Sequence, residues 1–130
     1  METSHKPLDV LVIDDNAHIR MLITETLRAA GVTDVREAEC GQTAWRALQE
    51  HASQIILVDN SMPGESGIEW TRRLRADPES PAPHARVIMV SGWLNEQRIA
   101  EARKAGIDAF VPKPFSCSTL LERIADVAPV

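Results

Sequence analysis

Two regimes of patterning alternate along this chain: short apolar runs that stop on acidic or small polar residues, and longer stretches in which apolar residues recur every three or four positions. The runs read as buried strands and the stretches as amphipathic helices. Leu8-Asp9-Val10-Leu11-Val12-Ile13 is a β-branched run that stops at Asp14-Asp15-Asn16. Ile19, Leu22, Ile23 and Leu27 then recur at helical spacing, with Gly31 as the C-terminal stop. Val32 to Ala38 alternates weakly and is expected at a sheet edge, and Gly41 to Ala52, carrying Ala44, Trp45 and Leu48, reads as a second helix. Ile55-Ile56-Leu57-Val58 ends abruptly on Asp59, before a loop containing Pro63-Gly64. Ser66 followed three residues later by Glu69 is a capping box that opens a third helix, running to about Ala76.

Three prolines between Asp77 and Pro83 mark an irregular surface connection, and Arg86 to Val90 is the next strand, ending on Ser91-Gly92. Asn95 to Ala105, closed by Gly106, is a helix whose apolar stripe is only Ile99 and alanines, so it is expected to be loosely held. Ala109-Phe110-Val111 is a short strand before Pro112-Lys113-Pro114-Phe115, and Leu120, Leu121, Ile124 and Val127 mark a last helix. Five strands thus alternate with five helices through connections that suit right-handed crossovers onto a parallel sheet, which is a doubly wound α/β fold. Pro112 has no amide hydrogen for a central ladder, which assigns the fifth strand to an edge.

In a parallel sheet the C-terminal strand tips share one edge, and ligands of open α/β sheets bind outside that edge. Here the tips carry Asp14 and Asp15, Asp59, Ser91 and Lys113. Three carboxylates close together either raise one another's pKa or hold a cation, and a hard divalent ion with oxygen ligands, Mg²⁺, answers this best. A carboxylate can attack phosphorus to give an aspartyl phosphate when the developing oxygen charge is neutralised. Mg²⁺ and the Lys113 ammonium would do so from two sides, with the Ser91 hydroxyl donating to a third oxygen. Singly, each residue also reads as a turn former or a solvated charge.

Composition narrows the class. With 130 residues, 44% apolar and 25% charged, the chain reads as one ordinary globular domain over residues 1–130, with a core over about 8–128. A net charge of −5 argues against nucleic-acid binding. No apolar run is long enough for a bilayer and Met1 to Pro7 lacks the apolar core of a signal peptide, so a cytoplasmic protein without membrane contact is expected. Cys40 and Cys117 lack metal or redox spacing and read as ordinary, partly buried thiols. His5, His18, His51 and His84 show no ligand spacing and read as surface residues.

Val12-Ile13-Asp14-Asp15-Asn16, Leu57-Val58-Asp59 with Met62-Pro63-Gly64 and Gly67, Ile88-Met89-Val90-Ser91-Gly92 and Lys113-Pro114-Phe115 together resemble the receiver domains of two-component response regulators, of which the single-domain chemotaxis regulator is the prototype. The resemblance runs from about Leu8 to Ala128. It implies the flavodoxin-like strand order 2-1-3-4-5, which periodicity alone does not give. It also implies that Asp59 accepts a phosphoryl group from a phosphohistidine on a histidine kinase or histidine phosphotransfer protein. Mg²⁺, or Mn²⁺ in its place, would be bound by Asp15 directly, by Asp14 through water, by the backbone carbonyl of Ser61, and by Asp59. Lys113 would contact the phosphoryl group and precede a cis peptide to Pro114, and Ser91 and Phe110 would form the switch pair. A downstream protein would dock on the fourth helix, fifth strand and fifth helix. Such a protein is a signalling phosphoacceptor that assists its own phosphotransfer and dephosphorylation, not an enzyme with an external substrate, and no output domain is expected.

Several positions depart from the family pattern. Ser91 stands where Thr is frequent, Phe110 where Tyr is usual, and Pro112 where an aliphatic residue is usual. With no phenolic hydroxyl at Phe110, switching should depend on packing. Trp93, two residues past Ser91, is expected to shield the phosphoryl group and slow its hydrolysis. A haloacid-dehalogenase-type phosphatase would need an acid two residues after its nucleophile, but Ser61 follows Asp59 and Asn16 follows Asp14. A receiver-like module that binds its partner without phosphorylation is the remaining alternative.

Overall fold

The computed structural model describes residues 8–128. Five strands, β1 (Asp9–Ile13), β2 (Asp34–Ala38), β3 (Ile55–Asp59), β4 (Arg86–Ser91) and β5 (Ala109–Pro112), alternate with five helices, α1 (Ala17–Ala29), α2 (Gly41–Glu50), α3 (Gly67–Ala76), α4 (Glu96–Ala105) and α5 (Cys117–Val127). The strands are all parallel, in the order β2-β1-β3-β4-β5. The doubly wound α/β fold and the edge positions of β2 and β5 are therefore as expected. Pro112 tolerates its place because it closes the edge strand opposite Ser91.

The unbroken apolar runs of β1, β3 and β4 follow from burial on both faces. Alternate residues of a strand point to opposite faces, so Leu11, Ile13, Ile56, Val58, Val87 and Met89 pack with Ala44, Leu48, Trp70 and Leu74 of α2 and α3. Val10, Val12, Ile55, Leu57, Ile88 and Val90 pack on the other face with Ile23 and Leu27 of α1 and Leu120 and Ile124 of α5. Each such side chain contributes about 1.5–3 kcal/mol by leaving water. Trp70 is fully buried and its Nε1 donates to Gly41 O at 3.0 Å, tying α3 to the start of α2.

Helix ends follow local chemistry. Ser66 Oγ accepts from Glu69 N at 3.1 Å while Glu69 Oε1 accepts from Ser66 N at 3.1 Å, the reciprocal cap expected from the sequence. Gly31 takes positive φ (96°) just past α1, and Gly106 caps α4 at φ 105°. The second helix stops at Glu50, short of the expected Ala52, because His51 turns extended and Arg36 binds the carbonyls of Ala47 and His51. Ser116 caps α5 by accepting from Thr119 N at 3.1 Å, so that helix starts three residues before its first buried leucine, Leu120. Cys117 consequently lies outside the buried stripe and is exposed, not partly buried as expected; Cys40 is partly buried, and both thiols are free. His18, His51 and His84 are exposed as read, while His5 lies outside the described residues. Among its residues α4 buries only Ala102 and Ala105. No helix among the described residues is long and apolar enough to cross a membrane.

Candidate functional site

The C-terminal edge of the sheet collects the acidic residues. Asp14 follows β1 and Asp59 ends β3, its neighbour in the sheet, and both are buried, at 2% and 6% exposure. Asp14 Oδ1 accepts from Asn16 N at 2.9 Å, and Asn16 in turn caps α1, accepting from His18 N and Ile19 N. Asp15 is exposed. One oxygen from each of Asp14, Asp15 and Asp59 lies within 4.8 Å of the others.

Lys113 reaches over this group from the loop after β5. Its Nζ lies 3.0 Å from Asp14 Oδ2 and 3.3 Å from Asp59 Oδ1. Its backbone is held by donation from Lys113 N to Ser91 O at 2.9 Å, and the Lys113–Pro114 peptide is cis. Burial pushes the Asp59 carboxyl up from its ordinary value, Asp14 adds to the rise, and Lys113 and the Ser61 amide oppose it. Burial works to lower the Lys113 ammonium, but the hydrogen bond and charge of Asp14, with Asp59, outweigh it and raise it overall. Ionising Asp59 is therefore costly without more positive charge, and Lys113 is firmly cationic.

Ser91 is buried at the end of β4, but its hydroxyl is engaged by its own loop, accepting from Trp93 N at 3.1 Å. The Trp93 side chain stands out into solvent at 74% exposure. Phe110 lies on β5 beside Met89 of β4, partly buried, with the Arg103 guanidinium 5.3 Å from its ring centroid. Ser61 is exposed, and its amide rather than its carbonyl is the group that bears on Asp59. Asp14, Asp15, Asp59 and Lys113 are thus brought together; the Ser91 hydroxyl contacts Trp93 N and the Phe110 ring contacts the Arg103 guanidinium.

Three supporting residues escaped the sequence reading. Arg20 donates to Asp14 O at 2.7 Å and to Glu37 Oε1 at 3.1 Å, fixing the β1–α1 turn. Asn60 accepts from Ile68 N at 3.1 Å and Gly67 N at 3.1 Å, locking the loop after Asp59 to α3. Asn16, six residues ahead of Leu22 and next to an acidic pair, carried a readable capping signal. Arg20 carried none, because its target is set by how α1 leaves the sheet. Gly67 approaches so closely that a Cβ there would lie 2.8 Å from Asp59 O.

A sequence profile of the response regulator receiver domain matches residues 10–125. The chain is 32% identical to chemotaxis protein CheY-3 of Vibrio cholerae over 120 residues, covering 92% of this chain and 91% of that protein. It is 34% identical to chemotaxis protein CheY of Pseudomonas aeruginosa over 120 residues, 92% of this chain and 95% of that one. The structure superposes on chemotaxis protein CheY4 of Vibrio cholerae with a TM-score of 0.86 at 27% identity, covering 94% of this chain and 99% of that one. For the response regulator domain of Thermotoga maritima CheB the TM-score is 0.81 at 28% identity, covering 94% and 96%. With its 2-1-3-4-5 parallel sheet and an acidic cluster at the sheet's C-terminal edge, the chain belongs to the response regulator receiver family of two-component signalling.

Proposed function

We propose that Asp59 is the phosphoacceptor, taking a phosphoryl group from a phosphohistidine on a histidine kinase or histidine phosphotransfer protein. The observation that carries this reading is Lys113 Nζ spanning the buried Asp14 and Asp59 at 3.0 and 3.3 Å. Three carboxylates face one ammonium there, and such a set fits a hard divalent ion. Asp14, Asp15, Asp59 and the Ser61 carbonyl would hold Mg²⁺, or Mn²⁺ in its place. When bound, the ion neutralises charge on the phosphoryl oxygens and on the attacking carboxylate.

The chain's own residues do the rest. An Asp59 oxygen forms the bond to phosphorus as the donor's P–N bond breaks, the electron pair returning to the imidazole. Lys113, released in part from Asp59, pairs with a phosphoryl oxygen; Asp14 keeps it within reach. Ser91 Oγ exchanges its contact with Trp93 N for a phosphoryl oxygen, and Phe110 turns into the space this movement opens. The added charge of about −1.5 to −2 biases a pre-existing equilibrium at the surface of α4, β5 and α5, where a downstream protein docks. The chain is in this reading a signalling phosphoacceptor that catalyses only its own modification and its reversal.

Incubation with a ³²P-phosphohistidine donor protein tests it. Label is expected to move to the wild-type chain with Mg²⁺, and not with EDTA or in Asp59→Asn. Label on Asp59→Asn at the wild-type rate would overturn the assignment.

A further inference from the structure

The opposite end of the sheet carries a second, chemically different cluster. Asp9 opens β1 and Asp34 opens β2, and the two are register partners on neighbouring parallel strands. Register partners point to the same face, so two carboxylates stand side by side, Asp9 buried at 7% exposure and Asp34 exposed. The α2 terminus brings an imidazole to this pair: His51, in extended backbone (φ −161°, ψ 121°), sets Nε2 2.6 Å from Asp9 Oδ2. Its ring nitrogen and one oxygen from each carboxylate lie within 4.8 Å of one another.

The partners of Asp9 divide between its two oxygens. Oδ1 accepts from Ser53 Oγ at 3.1 Å and faces Arg36 at 4.0 Å; Oδ2 is turned to His51. Arg36 directs its hydrogen bonds to Ala47 O, His51 O and Ser53 Oγ, so it holds the His51 backbone in place without donating to the carboxylates. With a neutral imidazole, two carboxylates and one guanidinium leave the cluster at −1. The 2.6 Å contact pairs Asp9 Oδ2 with His51 Nε2 through one shared hydrogen, and a divalent cation that displaces this proton would be held by both atoms.

We propose that Asp9, Asp34 and His51 form a second metal site, one that takes a borderline divalent transition ion of the Zn²⁺ class. The donor set decides the class. One imidazole nitrogen and two carboxylate oxygens suit Zn²⁺, whereas the all-oxygen set of Asp14, Asp15 and Asp59 suits Mg²⁺. Three protein ligands leave the fourth tetrahedral position to water or to a group from another chain. Metal–ligand bonds of about 2.0–2.2 Å require the donors to draw together, and His51 and Asp34, both exposed, have the freedom to do so. Occupancy would tie β1, β2 and the end of α2 together at the far end of β1 from Asp14, about 16 Å along the strand.

Zn²⁺ titrated calorimetrically into the whole chain, with excess Mg²⁺ holding the Asp14, Asp15 and Asp59 cluster, tests this. One ion is expected to bind with a dissociation constant in the micromolar range and to raise the melting temperature. His51→Gln and Asp34→Asn, both at exposed side chains, are each expected to weaken binding at least tenfold and to abolish the thermal shift, with far-UV circular dichroism unchanged. No binding to the wild type would overturn the site. So would unchanged affinity in both variants, which would assign the ion to other surface imidazoles such as His18 and His84.

Discussion

Asp59 is the buried carboxyl of the cluster whose protonation its surroundings shift. Its carboxyl is raised by burial first and by Asp14 second, with Lys113 pulling the other way. A carboxyl with a raised pKa in the folded state binds more protons folded than unfolded. Stability therefore falls as pH climbs from the ordinary carboxylate value of 3.8 through the raised one, and the cost stays constant above it. Asp59→Asn should accordingly melt higher than wild type at neutral pH in EDTA, and the gap should close below pH 3.8 or on adding Mg²⁺. Calorimetry at both pH values checks it; a variant less stable than wild type at neutral pH would mean that the Lys113 pair outweighs the burial cost. The acidic residues themselves were legible because apolar runs ending in Asp need no tertiary information to be read. What the Phe110 ring does at rest was not legible, since the Arg103 guanidinium reaches it only through the fold, whereas the Ser91–Trp93 contact is local, two residues apart.

At the scale of elements, the join between β3 and α3 fixes the position of Asp59. A Cβ on Gly67 would meet backbone, at 2.8 Å from Asp59 O and 3.1 Å from the Asn60 Cα, where no side chain can move aside. Gly67→Ala should cost about 1–3 kcal/mol of stability, measured by urea denaturation, and slow phosphorylation by displacing Asp59; a neutral effect on both would mean the loop is slack. The β4–α4 loop is expected to bear on the lifetime of a phosphorylated Asp59. Trp93 exposes 74% of its surface two residues from Ser91, an apolar ring available to lie over the phosphoryl group. Trp93→Ala should shorten the phosphoaspartate half-life several-fold, followed by loss of ³²P; equal half-lives would remove Trp93 from that role. Strand and helix identities were readable from periodicity because both sheet faces are covered. Helix ends were less so: the early stop of α2 depends on Arg36, a β2 residue whose targets are carbonyls fifteen or fewer positions away in sequence but on another element.

At the scale of the whole molecule, the proposed phosphoryl chemistry would lie at the C-terminal edge of the sheet, apart from the proposed docking surface, where α4 is held to the core by two buried alanines and carries Arg103 against the Phe110 ring. An element so lightly anchored can shift at low cost, which suits the switch proposed for Phe110. Arg103→Glu should weaken binding of the phosphorylated chain to its downstream protein about tenfold or more without altering phosphorylation; unchanged binding would move the docking surface elsewhere. The doubly wound architecture was legible from the alternation of five strands and five helices, whereas the 2-1-3-4-5 order was not, because periodicity says nothing about which strands are neighbours.

Formation of an aspartyl phosphate on Asp59 is read by intact mass after incubation with acetyl phosphate. The wild type with Mg²⁺ is expected to gain one labile phosphoryl adduct, with none in EDTA and none in Asp59→Asn. A folded, Mg²⁺-binding chain that gains no adduct, or an Asp59→Asn chain that gains the same one, would contradict it.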